Sequence, residues 1–417
     1  MTTPTHPAKP ALATEPTGER ARKPSGVDAN LLIVFGVTLF AVLGVSTIAP
    51  VLPSVVAEFN LSETQSGLLI TAFTLPGVIL TPFVGVFGDR LGRKKILVPA
   101  LLLFGLAGGS CGLTKDFGLL ILLRILQGAG ASALSTLNTT IIGDLYQGPE
   151  RARAMGLNAS VLSLAVASYP IIGGSLAVFG WNYPFLLPWL AVPMAVAVAR
   201  FLTAPEPLNG QALTDYLGDA WHEIKKPRML AVFASSVLIF VVLYGGYLTY
   251  LSLYLGRVLG SSPVVIGLLM FVTSVSTALV SSQLGALGRR FGTNTLLAVG
   301  FAGYAVGLVV VPLARSVWAL AVPLLVFGAA HGLNLPSLQT MLAEEAPLEH
   351  RGLMMSLNGM MLRTGQTLGP LVMGLAFGAW GYRGAFWTAT LVALAGLALV
   401  LVVFTPGRAP AGDNRQA

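Results

Sequence analysis

The sequence reads GVFGDRLGRKK at residues 85–95, between two long apolar segments. Glycine stands at three positions of this string and Arg or Lys at four. A tight, basic turn of this kind lets two helix ends approach closely. Asp89 can pair with nearby arginines or lie at the positive end of another helix. The string therefore predicts a short loop that holds two membrane helices together at a charged surface.

Composition indicates a membrane protein. Hydrophobic residues make up 54% of the 417 residues and charged residues 10%, whereas soluble domains carry about 25% charged residues. The mean hydropathy is +0.77. The apolar residues form blocks of about 20, the length at which a helix crosses the hydrocarbon core. Residues 31–52 are apolar on every side, unlike the alternating strands of membrane barrels. The predicted class is an all-α integral membrane protein.

Glycine, proline and charge clusters divide the apolar sequence into twelve predicted spans. These are 30–54, 64–87, 95–114, 117–143, 153–178, 184–203, 229–256, 263–287, 294–314, 316–342, 353–378 and 384–405. They form an N-terminal six-helix bundle (30–203) and a C-terminal one (229–405). A disordered cytoplasmic tail is predicted at 1–29 and a second cytoplasmic tail at 406–417. The linker at 204–228 contains an amphipathic stretch, 212–224, suited to the membrane surface.

The basic residues predict the orientation. With the N-terminus inside, nineteen of the 25 Lys and Arg residues fall in cytoplasmic segments and four in outer loops. Short cytoplasmic loops accumulate these residues, so both termini are predicted to be cytoplasmic in a plasma membrane protein. The net charge of +8 forms no basic stripe with aromatics, so no nucleic-acid partner is expected. The single cysteine, Cys111, has no partner for an intramolecular disulfide.

The two halves of the sequence match at an offset of 200 residues. Matching pairs include Gly85/Gly285, Gly88/Gly288, Arg90/Arg290, Gly92/Gly292, Arg151/Arg351, Asn158/Asn358, Pro170/Pro370 and Gly174/Gly374. Six spans separate the copies, and an even number gives both halves the same topology. A parallel repeat of this kind predicts a substrate cavity between the halves near mid-membrane.

The string at residues 85–95 resembles the signature loop of the major facilitator superfamily, and the resemblance covers nearly the whole chain. It implies a two-bundle transporter in which the acidic residue latches the halves on the cytoplasmic side. Asp144 resembles the family's partner in that charge cluster. The second copy has Arg289 where Asp89 would lie, so an asymmetric latch is expected. The predicted gate comprises Gly85, Gly88, Asp89, Arg90, Gly92, Arg93, Asp144 and Arg151.

A second motif lies in the fourth span, where residues 124–130 read RILQGAG. It resembles a motif of proton-coupled members of the family. Helical spacing puts Arg124, Gln127, Ser135 and Asn138 on one face. An arginine near mid-bilayer costs ~2.5–3.5 kcal/mol on insertion scales and needs an aqueous cavity or a partner. Two readings stay open: Arg124 lines the cavity, or it tethers a neighbouring helix through carbonyl groups.

Two further stretches resemble the glycine and proline element in the fifth span of drug:proton antiporters. The fifth span contributes Pro170, Gly173 and Gly174, with Ala165 and Tyr169 in place of two family glycines. The eleventh contributes Gly365, Gly369 and Pro370. Small residues permit close helix contact, and a proline frees a carbonyl, so both stretches are predicted to be packing hinges. Packing with no bearing on transport direction is the alternative.

Polar residues inside the predicted spans are candidates for the cavity. His331 titrates in the physiological range and is a candidate proton carrier, although a lone histidine is commonly a packing residue; Asp89 and Asp144 compete for that role. Arg363 is predicted to face the cavity or to bind carbonyls near the helix break. The predicted cavity residues are Arg124, Gln127, Asn138, Asn158, Tyr247, His331, Asn334, Asn358, Arg363 and Gln366.

The predicted function is transport by alternating access, as proton-coupled efflux of small hydrophobic compounds. Every Asp and Glu lies in a tail, a loop or a helix end, which favours neutral or anionic cargo over cations. A sugar, metabolite or organic-anion permease, uncoupled transport, and a non-transporting receptor are the alternatives. The sequence has no nucleotide-binding loop, metal signature or nucleophile triad, so neither catalysis nor a cofactor is expected. The expected partners are protons, lipid and a small-molecule substrate, and the protein is predicted to be a monomer.

Overall fold

A computed structural model describes residues 27–203, 224–347 and 351–404. The predicted tail at 406–417, nearly all of that at 1–29 and most of the linker lie outside these residues. The described chain contains fourteen α-helices: α1 (Ala29–Ser46), α2 (Leu52–Glu58), α3 (Glu63–Leu91), α4 (Arg93–Ser110), α5 (Phe117–Leu145), α6 (Gly148–Leu176), α7 (Tyr183–Leu186), α8 (Ala191–Phe201), α9 (Pro227–Val241), α10 (Pro263–Ser282), α11 (Leu284–Phe291), α12 (Thr293–Val309), α13 (Ala321–Glu345) and α14 (Arg351–Phe404).

Eleven segments of the described chain are long and apolar enough to cross a membrane. The last of them, Gly352–Phe404, has 53 residues, far more than the about 20 that one crossing needs. Its helical geometry breaks at Trp380 and Gly381, where Gly381 has φ 60°. Two helices therefore join there within α14. The prediction of an all-helical membrane protein is confirmed.

Two single glycines make the tight turns between neighbouring helices. Gly92 separates α3 from α4 with φ 97°, and Gly292 separates α11 from α12 with φ 77°. A residue with a Cβ rarely adopts such a positive φ, so glycine is needed at both points. The two turns are 200 residues apart, and the sequence repeat therefore corresponds to a repeated backbone geometry.

Successive long helices run in opposite directions, so their junctions lie at two ends of the molecule. The basic end carries Gly92, Gly148, Pro227, Gly292 and the junction between α13 and α14, and the opposite end carries the other junctions between long helices. We call α1–α8 the N-terminal half and α9–α14 the C-terminal half. Across the halves, α3 packs against α14 and α6 against α10.

The halves are in close contact at the opposite end. A Cβ atom at Gly174 would overlap the carbonyl group of Pro263, and one at Gly267 would overlap that of Pro170. Gly67 lies against Pro370 in the same way. Small residues therefore let backbone meet backbone across the halves on this side.

Three glycines toward the basic end have open space beside them. Gly156 in α6 and both Gly352 and Gly359 in α14 have no atom within 4 Å of the position that a Cβ would take. Hydrogen bonds at this end include one from Lys94 to the carbonyl of Leu202, within the N-terminal half. The close backbone contacts between the halves at Gly174 and Gly267 thus lie at the opposite end.

The helix that follows the linker is not a regular α-helix. After α9, the chain forms π-helix over Val242–Leu251 and again over Tyr254–Val258. The hydroxyl of Thr249 donates to the carbonyl of Tyr244, five residues earlier, at 2.6 Å. π-Helical turns are rare and are frequent at functional sites. The plain helix predicted over 229–256 did not include this widening, because hydropathy does not distinguish the two helix types.

Candidate transport pathway

Arg124 lies wholly inside the N-terminal half. Its side chain is 0% exposed. Nε donates to the carbonyl of Leu69 at 3.1 Å, and Nη1 donates to the carbonyl of Gly44 at 2.9 Å and to Oε1 of Gln127 at 2.8 Å. The guanidinium carbon lies 4.5 Å from the centre of the Phe73 ring. These contacts join α1 and α3 to α5, so in this conformation Arg124 and Gln127 belong to helix packing.

The glycines of the same motif bring α5 against its neighbours. A Cβ atom at Gly128 would overlap the carbonyl of Phe73 in α3, and one at Gly130 would crowd the carbonyl of Ala100 in α4. The RILQGAG string is therefore a contact surface for three helices. Arg124 donates hydrogen bonds to backbone carbonyl groups, and Gly128 and Gly130 leave room for the backbones of neighbouring helices.

Asn158 and Asn358, which correspond to each other in the sequence repeat, each accept a hydrogen bond from the first helix of their own half. Thr38 in α1 donates to Oδ1 of Asn158 in α6 at 2.5 Å, and Nδ2 of Asn138 donates to Thr38 at 2.5 Å. In the C-terminal half, Ser236 in α9 donates to Oδ1 of Asn358 in α14. All three asparagines are buried. They are placed inside the halves rather than between them.

His331 takes part in an aromatic stack within the C-terminal half. Its Nδ1 and the hydroxyl of Tyr304 share a hydrogen bond of 2.5 Å. Phe327 stacks on Tyr304 at 4.5 Å and on Tyr247 at 4.8 Å between ring centres. Asn334, one turn after His331, is buried and neither side-chain atom has a hydrogen-bond partner among the described residues. The predicted residues His331 and Asn334 on α13 thus lie close to Tyr247 of the π-helical segment, with Tyr304 of α12 between them.

Arg363 lies between the halves. Its Nη2 donates to Oγ of Ser135 in α5 at 2.7 Å, and its Nη1 donates to Oε1 of Gln366 at 3.2 Å. A Cβ atom at Gly77 in α3 would lie 3.1 Å from the arginine Cδ. The guanidinium is half-buried. Of the two arginines predicted for the cavity, Arg363 therefore bridges the halves and Arg124 does not.

A threonine bridge continues this contact toward the opposite end. Thr367 in α14 donates to Oγ1 of Thr74 in α3 at 3.0 Å. Thr71 donates to the carbonyl of Thr367 at 3.2 Å. All three are buried. The interface between α3 and α14 is consequently polar at its centre.

The predicted gate forms only in part. Nε of Arg93 lies 3.0 Å from Oδ2 of Asp144, within the N-terminal half. Arg151 packs its guanidinium against Gly143, and Arg90 is exposed. Gly85 has no neighbour within 4 Å, whereas Gly88 lies against Leu137 and Arg93. The side chain of Asp89 lies outside what the structure describes.

Beside this gate, the end of α5 is tied to the start of α1. The hydroxyl of Tyr146 donates to Oδ1 of Asp28 at 2.6 Å, and the same oxygen accepts from the Leu31 amide. Burial raises the pKa of the Tyr146 phenol, and the bond to Asp28 adds to the rise. The phenol therefore stays protonated and keeps its donor role at physiological pH.

An ion pair at the opposite end was not predicted from the sequence. Nε of Arg257, at the end of the second π-helical turn, lies 3.7 Å from Oε1 of Glu63 at the start of α3. The hydroxyl of Tyr250 donates to the carbonyl of Glu63 at 3.5 Å. Glu63 was noted only as an acid at a helix end, because residues 194 positions apart give no local signal of contact.

The two predicted hinges are close helix contacts. Gly173 packs on the carbonyl of Thr47, Gly365 on that of Val237, and Gly369 on the backbone of Gly245. These three contacts lie within one half each. Gly174 and both prolines, in contrast, contact the other half, as described above. Each hinge thus serves packing inside a half and between halves.

Comparison with known proteins decides the family. The model of the Major Facilitator Superfamily matches the chain twice, over residues 34–263 and 244–417. The chain belongs to the major facilitator superfamily. This membership confirms the resemblance carried by residues 85–95 and makes the protein a multi-pass membrane transporter rather than an enzyme. The two matches, one to each half, agree with the repeat seen in the sequence.

Relatives and solved structures of this superfamily extend over most of the chain. Multidrug resistance protein 2 of Bacillus subtilis is 26% identical over 380 residues, 89% of this chain and 94% of that protein. The class C tetracycline resistance protein of Escherichia coli is 24% identical over 387 residues, 89% and 94% respectively. A bacterial homologue of the human lysosomal transporter Spinster, in an inward-facing and occupied conformation, superimposes with a TM-score of 0.74 at 18% identity, covering 89% of this chain and 95% of that one.

Proposed function

We propose that this transporter exports small hydrophobic compounds, neutral or anionic, in exchange for protons. Twelve spans, with α14 counted as two, form two six-helix bundles that move against each other. The observation that carries this proposal is the asymmetry of the interface. Backbone contacts join the halves at the opposite end, while glycines of α6 and α14 face open space at the basic end.

The excess of Lys and Arg supports a cytoplasmic basic end, with both termini inside. The structure then corresponds to an inward-facing state, ready to receive cargo from the cytoplasm or the inner leaflet. Two relatives carry names of drug resistance proteins, which supports export as the direction. The transporter works as a monomer and needs no cofactor besides the proton gradient.

Glu63 is a carboxylate that joins the halves at the opposite end. Its Oε1 lies 3.7 Å from Nε of Arg257, and the hydroxyl of Tyr250 donates to its backbone carbonyl. In the proposed cycle, this ion pair separates when the opposite end opens. Asp89, Asp144 and His331 are the candidate proton carriers.

Everted membrane vesicles test the proposal. Respiration acidifies their lumen, which corresponds to the cell exterior, and a pH probe inside reports it. An antiporter releases luminal protons when a neutral drug is added outside, so the lumen becomes more alkaline. Vesicles without the protein should not respond, while vesicles with Arg383→Gln, an exposed charge at the opposite end, should respond as the wild type does.

An organic-anion permease is the second candidate, favoured by the arginine at the interface. Arg363 offers a positive charge between the halves, and its hydrogen-bond partners there are neutral. A permease would move an aromatic anion into proteoliposomes down its own gradient with no change in luminal pH. That outcome, together with no change in luminal pH when neutral drugs are added in the vesicle assay, would favour the permease over the exporter.

A further inference from the structure

We propose that Arg363 binds the carboxylate of an aromatic, singly charged cargo, and that Tyr244 forms the wall for its ring. This inference rests on the proposed transport function and names the cargo class of the same interface. It also assigns the two intramembrane arginines different roles. Arg363 recognises cargo, and Arg124 holds helices together.

The charge of Arg363 lacks a counter-ion in the described part of the chain. Its partners, Ser135 and Gln366, are a hydroxyl and an amide oxygen. A guanidinium carries five N–H donors in a planar fork, and these two bonds leave three donors for a ligand. A carboxylate matches this fork with two parallel hydrogen bonds, which is the geometry in which arginine binds anions most strongly.

The guanidinium can be reached from the basic end. Arg363 is partly exposed and lies twelve residues after the start of α14, a depth of about 18 Å at 1.5 Å per residue. Gly359, one turn nearer the basic end, has open space where a side chain would be. The threonine bridge lies on the other side, toward the closed end. Arg363 therefore lies between the open space at Gly359 and the threonine bridge, against α3 and α5 of the other half rather than on a lipid-facing surface.

An aromatic surface lies beside the charge. Phe240 and Tyr244 stack with 5.8 Å between ring centres and an angle of 28° between their planes. Tyr244 is partly exposed and close enough to Arg363 to interact electrostatically. Stacked rings of this kind bind flat apolar groups with little directional demand. A carboxylate attached to an aromatic ring satisfies both features at once.

Such a cargo would bind at the contact between the halves. Nη2 of Arg363 is bonded to Ser135 of the N-terminal half, so a carboxylate that takes the remaining donors lies beside a bond between the halves. Arg124 offers no such site, because it is 0% exposed inside one half, where carbonyl groups and Gln127 take three of its donors and Nη2 has no partner among the described residues.

A pair of matched probes tests the assignment. Radiolabelled naphthalene-2-carboxylate and its neutral amide are titrated against purified protein, and both are followed into proteoliposomes. We expect the wild type to bind the carboxylate about tenfold more tightly than the amide, a difference equivalent to about 1.4 kcal/mol. Arg363→Gln should bind the two probes equally. Arg383→Gln, the matched control, should keep the tenfold preference.

Arg363→Lys separates charge from geometry. It retains the positive charge but loses the fork, so the preference should fall to about threefold. This variant also carries the test if Arg363→Gln does not fold, as judged by thermal unfolding. A wild type without preference, or a preference that survives in Arg363→Gln or stays complete in Arg363→Lys, overturns the assignment. Failure of the general transport function is a separate result, because it abolishes flux of both probes while leaving the binding preference measurable.

Discussion

Replacement of Arg124 by methionine should destabilise the N-terminal half. Methionine fills much of the same volume but donates no hydrogen bond. The carbonyl groups of Gly44 and Leu69 then lose their shared donor, and Gln127 loses its partner. Gly44 lies in the last turn of α1, where carbonyls lack a partner within the helix.

The size of the effect follows from these contacts. Three hydrogen bonds from a charged donor contribute roughly 1.5–3 kcal/mol each, and the contact with the Phe73 ring adds about 0.5–2 kcal/mol. The desolvation of a buried guanidinium, which methionine avoids, offsets several kcal/mol of this gain. We expect a net loss of about 2–4 kcal/mol and a melting temperature lower by roughly 4–10 °C. Arg124→Lys should fall between the two proteins.

The single cysteine provides the assay. Cys111 is 0% exposed, so a thiol-reactive dye labels it only when the N-terminal half unfolds. Detergent-purified wild type, Arg124→Met and the control Arg383→Gln are heated with the dye. A melting temperature unchanged in Arg124→Met, combined with lost transport of neutral cargo, would refute the packing role and place Arg124 in the transport path.

Four other changes have expected outcomes. Gly174→Leu should open the opposite end and raise labelling of a cysteine introduced there, while Gly156→Leu, which meets open space, should not. Glu63→Gln should remove the ion pair with Arg257 and raise labelling of a cysteine introduced at the opposite end, while Arg383→Gln should not. Asn158→Ala should lower stability by about 0.5–1.5 kcal/mol in thermal unfolding, because the hydrogen bond from Thr38 to Asn158 is lost while Thr38 keeps the Val34 carbonyl as an acceptor. His331→Gln should shift the pH profile of flux in proteoliposomes if His331 carries the proton, and an unchanged profile would exclude His331 from that role.

Much of the fold could be predicted because hydrophobic length and glycine position are local properties. The helix boundary at residue 92 follows from a glycine at which φ is positive. The π-helical segment after α9 could not be predicted, because a wider turn has the same composition as an α-helix. The break at Gly381 was predicted from local glycine and charge signals, which are visible without a partner helix.

The candidate site was less accessible to sequence reasoning. Helical spacing put Arg124 and Ser135 on one face, yet the first is enclosed within a half and the second contacts Arg363 across the halves. A face of a helix does not reveal which neighbour covers it. The pair of Glu63 and Arg257 was missed for the same reason, since each residue looks like an ordinary charge at a helix end.

The central claim, that the halves close at one end while they open at the other, is tested most directly by two distances measured in one protein. Spin labels are placed in a Cys111→Ser background, on Arg153 and Ser282 at the basic end or on Ala177 and Ser261 at the opposite end. In the wild type the second distance should be the shorter and the narrower in distribution. On acidification of the medium, the first should shorten while the second lengthens. Distances that change in the same direction, or do not change at all, would contradict alternating access in this transporter.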